Sequence, residues 1–97
     1  DVWYGASKGA LLNMTKSLAK LYGPDGVMVN AVAPGPTKTS MFDQLPQSRK
    51  DEFNRLVFAR RFAEAGEIAK VICYLALEAP EYVNGSCFDV ASGGYLR

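Results

Sequence analysis

The stretch VMVNAVAPG, residues 27–35, decides the fold of this 97-residue chain. Its first seven residues, VMVNAVA, are almost all apolar and rich in valine. A strand buried on both faces has this composition, and such strands belong to parallel sheets covered by helices. The residues PGPTKTS that follow predict a loop at the carboxyl end of the strand, where open α/β sheets bind their ligands. We therefore predict a buried parallel strand over residues 27–33.

The segment before this strand has the pattern of one long helix. Helical spacing places six side chains on one face, namely Tyr4, Lys8, Leu11, Thr15, Leu18 and Tyr22. Gly23 followed by Pro24 is a strong stop signal, because glycine favours the position just past a helix and proline cannot continue one. We predict a helix from about Trp3 to Tyr22.

Two further helices are predicted after the strand. The first covers residues 48–58, with Ser48 as its cap and Asp51 in the capping-box position. The second covers about residues 65–78 and is closed by Pro80. Four of its apolar side chains are expected to face inward, namely Ile68, Val71, Ile72 and Leu75.

A last strand is predicted over SCFDVA, residues 86–91, and the loop SGGY follows it. The order of elements is thus helix, strand, helix, helix, strand, which is the alternation of an α/β protein. We predict an α/β fold that forms the C-terminal part of a doubly wound parallel sheet of the Rossmann type, with about two strands and three helices.

The bulk composition argues against several classes of function. A net charge of +1 at pH 7 does not direct the chain to nucleic acid or to a membrane surface. The absence of histidine excludes a Ser-His-Asp triad and histidine-ligated zinc within the chain, and no metal site is predicted. We interpret Cys73 and Cys87 as buried free thiols of a protein of the cytoplasm, with a disulfide as the alternative.

The densest basic stretch lies in and just after the second predicted helix, and comprises Arg49, Lys50, Arg55, Arg60 and Arg61. Asp51 and Glu52 interrupt this stretch. We interpret it as a solvated helix face, and a phosphate-binding patch is the alternative.

The sequence YGASK, residues 4–8, places Tyr4 and Lys8 four positions apart on the first predicted helix. Side chains at this spacing stand on one face, roughly 5–6 Å apart at Cβ. A free phenol is a poor base at neutral pH because its pKa is about 10, and a nearby ammonium favours the phenolate. The pair could pass a proton to or from a carbonyl oxygen. It could equally be an amphipathic tyrosine and a snorkelling lysine at a helix end.

Three features together resemble the short-chain dehydrogenases/reductases. They are Tyr4-x-x-x-Lys8 on a helix, VNAVAPG on the next strand, and GEIAKVICYLA followed by a C-terminal glycine pair. The similarity covers essentially the whole chain and is closest to the ketoacyl-carrier-protein-reductase-like members. It implies that Tyr4 is the catalytic acid/base, that Lys8 tunes it and bonds the nicotinamide ribose, and that both residues contact the cofactor.

The resemblance also implies a cofactor site in the loop after the first strand. Pro34 and Gly35 match the residues whose backbone lies close to the nicotinamide, and Thr39 matches a threonine that contacts the cofactor's amide or phosphates. Thr37 stands where an aliphatic residue is commoner, and its backbone is expected near the carboxamide. The implied cofactor is NAD or NADP. A plain turn made by two prolines and a glycine is the alternative.

Residues 40–62, here called the cover segment, correspond to the part of the family that covers the substrate and varies from member to member. Four apolar residues of this segment could line a substrate pocket or belong to the core, and both interpretations stay open. They are Met41, Phe42, Leu45 and Phe53.

Two parts of the family's domain are not found in the sequence, namely the glycine-rich turn that holds the pyrophosphate and the serine that orients the carbonyl. Residues 1–97 are therefore expected to be the C-terminal portion of a single dinucleotide-binding oxidoreductase domain that lacks its N-terminal half. Truncation, proteolysis or partial order of a longer protein could each produce such a chain. The chain also has Ser92 where an acidic residue usually precedes the glycine pair.

The function implied for the intact protein is NAD(P)-dependent interconversion of a carbonyl and a secondary alcohol by a homo-oligomeric enzyme with a small-molecule substrate. The fragment alone is expected to be inactive and to bind the dinucleotide weakly or not at all. The alternative is a non-catalytic fragment that acts as an interaction or oligomerisation unit.

Overall fold

The structure is a computed structural model, and it describes residues 2–94. It contains α1 (Val2–Tyr22), β1 (Ala31–Pro34), α2 (Gln47–Leu56), α3 (Ala65–Leu77) and β2 (Cys87–Val90), with short 3₁₀ turns at Gly23–Asp25 and Phe42–Gln44. The predicted order of elements is confirmed. Of the predicted SGGY loop, Tyr95 lies outside the described residues.

The two strands form a parallel pair, as predicted. Ala31 stands opposite Cys87 and Pro34 opposite Val90, and α2 and α3 lie in the connection between the strands. The ladder is extended at its end by the Gly35 N–H, which donates to the Val90 carbonyl at 2.9 Å. The carboxyl ends of both strands therefore meet at one edge of the sheet, where α/β folds bind ligands.

The first strand is shorter than predicted, because residues 27–30 do not join the ladder. Two asparagine side chains and one backbone bond, from the Gly85 N–H to the Val29 carbonyl at 2.8 Å, join this segment instead to the turn at residues 83–86. The Val29 N–H donates to Asn84 Oδ1 at 2.9 Å. The Asn30 amide donates to the Val83 carbonyl and accepts from the Ser86 N–H, both at 3.0 Å. The predicted start of the strand at residue 27 is thus wrong, because this segment bonds to a turn, largely through asparagine side chains, and not to a second strand.

The long helix α1 is held to the same turn near its C-terminal end. Thr15 and Ala19 are its buried residues, and Asn84 Nδ2 donates to the Ala19 carbonyl at 3.2 Å. The N-terminal half of α1, which carries Tyr4 and Lys8, is exposed within residues 2–94.

The start of α2 differs from the prediction. The cap position is Pro46, whose carbonyl accepts from the N–H groups of Arg49 and Lys50 at 3.0 and 3.1 Å, and no side chain caps the helix. Ser48 lies inside the first turn, so the predicted cap is wrong. Pro46 has an extended backbone and therefore precedes the helix as its cap residue. The helix itself begins at the next residue, one position before Ser48.

The bounds of α3 agree with the prediction to one residue, but its inward face is narrower. Ile68 is buried, Val71 and Leu75 are half-buried, and Ile72 is 50% exposed. Ile72 was predicted to face inward. It lies on the flank of the face that packs against β1, and a two-stranded sheet is too narrow to cover that flank.

The two cysteines are free, but they are not buried as predicted. Cys73 is exposed on α3 and Cys87 is half-buried on β2. Residues 2–94 contain no helix that is long and apolar enough to cross a membrane. Within the same part of the chain, histidine, cysteine and acidic residues form no group of three that could hold a metal ion.

Candidate active site

Tyr4 and Lys8 lie on one face of α1, and their side chains contact each other. The Lys8 ammonium is 5.4 Å from the centre of the Tyr4 ring, which is within the range of a cation–π interaction. Tyr4 is 64% exposed, so its ring and hydroxyl are accessible to a ligand. Ser7, between them, donates from its hydroxyl to the Tyr4 carbonyl at 2.7 Å and so bonds to the helix backbone.

Two clefts meet at this tyrosine. The larger cleft has a volume of about 480 Å³ and lies between Tyr4, the loop after β1 and the cover segment. The smaller cleft has a volume of about 320 Å³ and lies between α1 and β1, with Lys8 among its lining residues. Tyr4 and Pro34 line both clefts. A ligand that occupied both spaces would therefore pass directly by the Tyr4 side chain.

The larger cleft brings together five of the six predicted site residues, namely Tyr4, Pro34, Gly35, Thr37 and Thr39. The sixth, Lys8, lines the smaller cleft next to Tyr4. Residues that are about thirty positions apart in the sequence thus meet at the carboxyl edge of the parallel sheet.

The loop after β1 is held in place by short hydrogen bonds. Thr37 Oγ1 donates to the Gly35 carbonyl at 2.8 Å. The Ala63 N–H donates to the Pro36 carbonyl at 2.8 Å, and the Lys38 N–H donates to the Ala63 carbonyl at 2.9 Å. These two bonds join the loop just before the cover segment to the residue just after it, so both ends of the cover segment are held together.

The four apolar residues whose role the sequence left open all line the larger cleft. Two of them, Phe42 and Phe53, also pack edge to face against Phe62, with ring centres 4.7 and 5.7 Å away. Phe62 is 5% exposed, so this aromatic cluster is the small core of the cover segment. Phe42 and Phe53 therefore serve as core and as cleft wall at the same time.

Sequence reasoning missed three residues of the larger cleft, namely Pro36, Arg49 and Phe62. Arg49 had a usable signal, because it precedes Phe53 by four positions on a predicted helix. Its guanidinium indeed lies 5.2 Å from the centre of the Phe53 ring. Most of the basic stretch is solvated, as predicted, but the Arg49 side chain forms part of the cleft wall.

The end of the cover segment is fixed to α3 by an ion pair. Arg61 NH1 and NH2 donate to the two carboxylate oxygens of Glu67 at 2.6 and 3.0 Å. These bonds and the Glu64 N–H lower the pKa of Glu67 to about 2, and the same ion pair raises the pKa of Arg61. Glu64 and Glu67 also form a capping box at the start of α3.

Ser92 anchors the other side of the cover segment. Its carbonyl accepts from the Phe58 N–H at 2.9 Å and its hydroxyl accepts from the Ala59 N–H at 2.8 Å. The residue adopts a left-handed backbone with φ of 47°. The serine thus ties the chain after α2 to the end of β2.

Comparisons with known proteins agree with this geometry. The sequence profile of the enoyl-(acyl carrier protein) reductase family matches residues 1–95. The chain is 38% identical over 91 residues to a meso-2,3-butanediol dehydrogenase from Serratia marcescens, an alignment that covers 94% of this chain and 36% of the relative.

Two solved structures extend the comparison. A 3-oxoacyl-(acyl-carrier protein) reductase from Brucella melitensis superposes with a TM-score of 0.92 at 34% identity, over 97% of this chain and 35% of that one. A double mutant of a short-chain dehydrogenase/reductase from Serratia marcescens superposes with a TM-score of 0.84 at 33% identity, over 94% of this chain and 37% of that one. The chain thus spans little more than a third of the length of the relatives it matches. On this evidence of sequence and fold, the chain belongs to the short-chain dehydrogenase/reductase family.

Proposed function

We propose that residues 1–97 form the C-terminal portion of a single dinucleotide-binding domain that interconverts a carbonyl and a secondary alcohol with NAD or NADP. The observation that carries this proposal is the larger cleft, where Tyr4 meets Pro34, Gly35, Thr37 and Thr39 at the carboxyl edge of the parallel sheet. Such a cleft would serve the oxidoreductase chemistry of a member of this family.

The residues of the two clefts fit the nicotinamide end of a dinucleotide. The exposed groups at the junction of the clefts are the Tyr4 hydroxyl, the Lys8 ammonium and the Thr39 hydroxyl, which suit ribose hydroxyls and an amide. The Thr37 hydroxyl donates to the Gly35 carbonyl and keeps its acceptor capacity for a ligand amide. When bound, the nicotinamide would supply the hydride in the reducing direction and accept it in the oxidising direction.

Tyr4 would act as the acid/base at the reacting oxygen. In the reducing direction its hydroxyl would give a proton to the carbonyl oxygen, and in the oxidising direction the phenolate would take the proton from the alcohol. The Lys8 ammonium, held against the ring, would stabilise the phenolate that forms. The phenyl rings of the cover segment would exclude water from the reacting centre.

The rest of the active site would come from a preceding segment of the same domain. That segment would supply the glycine-rich turn for the pyrophosphate and the serine that orients the carbonyl, both of which the resemblance implies. We further propose that the intact enzyme is a homo-oligomer of the cytoplasm with a small-molecule substrate, and that the 97-residue chain alone is inactive.

The test is turnover by the full-length enzyme with NADH and NADPH on a panel of ketones, and with the oxidised cofactors on secondary alcohols. The Tyr4→Phe variant should lose about 10²–10⁴-fold in turnover, as loss of a positioned acid/base does. Tyr74→Phe is the matched control, because Tyr74 is also half-exposed but lies on α3, away from both clefts. A Tyr4→Phe enzyme within twofold of the parent would refute the role of Tyr4.

A second candidate function is an interaction or oligomerisation unit without catalysis. It is favoured by the apolar residues that α1 exposes within residues 2–94, namely Val2, Trp3, Leu11, Met14 and Leu21. Assays of the full-length protein separate the two candidates. A stable oligomer that turned over no carbonyl or alcohol with either cofactor would favour the second.

A further inference from the structure

We propose that the substrate carries a carboxylate, that Arg49 at the start of α2 binds this group while the carbonyl lies against Tyr4, and that the neighbouring Lys50 adds positive charge beside the cleft. The inference rests on the proposed function, because it concerns the substrate of the same cleft. It names a class that the fold alone does not specify, since the cover segment differs between members of the family.

The first observation in favour of a carboxylate is the charge of the larger cleft. Among its lining residues, all within the described part of the chain, Arg49 is the one with a formal charge, and no carboxylate lines the cleft. Most of the remaining wall is apolar and includes Met41, Phe42 and Phe53. A cation in such a wall favours a ligand with a complementary anion over a neutral ligand of the same shape.

Arg49 is held in a position from which it can bind a carboxylate. Its guanidinium lies over the Phe53 ring at 5.2 Å, and its NH1 atom contacts Glu52 at 3.1 Å. A guanidinium carries five N–H donors in a fixed fork, so this single contact leaves donors for a second carboxylate. The arginine side chain is half-exposed, with a relative exposure of 53%, so a ligand can reach it.

Lys50 adds a second cation beside the same wall. Its ammonium lies 4.2 Å from the centre of the Phe42 ring, which lines the cleft. Lys38 stands near the same ring at 6.0 Å, but it is paired with Glu64 at 2.8 Å. Lys38 and Arg49 are thus paired with Glu64 and Glu52, whereas Lys50 forms no ion pair within residues 2–94.

The distribution of apolar and charged groups indicates the shape of the substrate. Tyr4 and Arg49 are both on the wall of the larger cleft, and phenylalanine rings form much of the surface around them. A volume of about 480 Å³ is that of a small-molecule site. An oxo acid, with its carbonyl at Tyr4 and its carboxylate at Arg49, would match both polar groups and place its carbon chain against the rings.

The experiment compares a matched pair of substrates, acetoacetate and its methyl ester, in the full-length enzyme. The ester removes the charge and keeps the ketone, so the acid should have a kcat/KM about tenfold higher, the effect of one charged hydrogen bond. The Arg49→Gln and Lys50→Gln variants should each raise the KM of the acid and so reduce the ratio of its kcat/KM to that of the ester. Arg55→Gln is the control, because Arg55 lies on the same helix but, unlike Arg49 and Lys50, does not lie over a ring of the cleft wall.

Two results would overturn the inference. One is an ester that is reduced as well as the acid or better. The other is an Arg49→Gln variant that weakens NADPH binding and leaves the acid's KM unchanged, because the arginine would then bind the cofactor's pyrophosphate. Both results leave the proposed oxidoreductase function intact.

A binding measurement keeps the inference testable apart from turnover. Calorimetric titration of the Tyr4→Phe enzyme with acetoacetate, in the presence of oxidised cofactor, should show binding that Arg49→Gln weakens about tenfold. Equal affinity with and without Arg49 would refute the carboxylate site. An enzyme that turned over no carbonyl compound, yet bound the acid through Arg49, would refute the proposed function and support this site.

Discussion

The Lys8 ammonium lies 5.4 Å from the centre of the Tyr4 ring, one helical turn away on the same face of α1. A cation over an aromatic face is attracted by the quadrupole of the ring, so the two side chains hold each other in place. Both residues also line the smaller cleft. The positive charge therefore stands beside the phenol whose proton we propose is transferred.

We predict that Lys8→Met in the full-length enzyme weakens cofactor binding and slows the chemical step. The cofactor Kd should rise about tenfold, because a charge-assisted hydrogen bond to the ribose is lost. The rate of the chemical step should fall, because the ammonium beside the phenol is lost. Fluorescence titration with NADH and NADPH measures the first effect, and single-turnover kinetics measure the second.

Lys16→Met is the control for this change, because Lys16 is an exposed residue of the same helix and lines neither cleft. If Lys8→Met kept the parent's cofactor Kd and its single-turnover rate, Lys8 would be only a surface residue.

A second prediction concerns Gly35, which follows β1 and lines the larger cleft. A Cβ atom at this position would lie 2.8 Å from the Ala91 Cα atom and 2.9 Å from the Ala91 Cβ atom, so the backbone of one loop must move. We expect Gly35→Ala to lower the free energy of unfolding by about 1–3 kcal/mol, as overpacking does, and to impair cofactor binding.

Gly66→Ala provides the matched control for Gly35→Ala. A Cβ at Gly66, in the first turn of α3, meets nothing within 4 Å. Alanine is favoured over glycine in a helix by up to about 1 kcal/mol, so this variant should be as stable as the parent or more so. Urea unfolding of the two variants gives the comparison. A Gly35→Ala protein as stable as Gly66→Ala would contradict the close approach of the two loops.

The sequence predicted the order of elements and the parallel pairing because both depend on strong local patterns. The valine-rich run and the Gly-Pro stop are examples, and the bounds of α1 and α3 follow to one residue. The start of β1 could not be predicted in the same way. It depends on the Asn84 and Asn30 side chains, which take over backbone partners from more than fifty residues away. Such bonds leave no periodic signal in the sequence.

The candidate site likewise has residues that the sequence could predict and residues that depend on contacts in the folded chain. The motif residues could be named because they resemble a family pattern, and the structure brings them to one edge of the sheet. Phe62 could not, because its role follows from ring contacts with Phe42 and Phe53 that only the folded cover segment creates. The predicted inward position of Ile72 is wrong for a related reason. Periodicity gives the apolar face of α3 but not the width of the sheet beneath it.

A third prediction concerns pH and the Arg61–Glu67 pair. The folded-state pKa of Glu67 is about 2, below the ordinary carboxyl value of 4.5, chiefly because of its hydrogen bond with Arg61. A carboxyl with a depressed folded-state pKa contributes stability above its unfolded pKa and loses it as the pH falls through the folded value. The contribution should therefore be complete above about pH 5 and disappear toward pH 2.

Glu67→Gln tests this pair without removing the capping residue, because glutamine also serves at the third helical position of a capping box. The variant should have a lower Tm than the parent at pH 7, and the difference should shrink toward pH 2 and in high salt, since the pair is exposed. Glu81→Gln, at an exposed position after α3, is the control. A Tm difference that did not vary with pH would mean that the charge of Glu67 is not what stabilises the start of α3.

The last prediction concerns the 97-residue chain in isolation. Its described part pairs β1 with β2 in a two-stranded sheet, and it exposes Trp3 at 83%, Phe58 at 78% and Leu77 at 81%. Unpaired strand edges and exposed apolar side chains favour pairing with further chains, and two strands alone rarely give a stable sheet. The sequence of the chain also contains no glycine-rich fingerprint for a pyrophosphate.

We therefore expect the purified chain to self-associate and to bind no dinucleotide. Light scattering should give a mass above that of one chain, and titration with NADH or NADPH should leave the fluorescence of Trp3 unchanged after inner-filter correction. A monomer that bound either cofactor saturably at micromolar concentration would show that these 97 residues hold a dinucleotide without a preceding segment, and the proposed domain organisation would then be wrong.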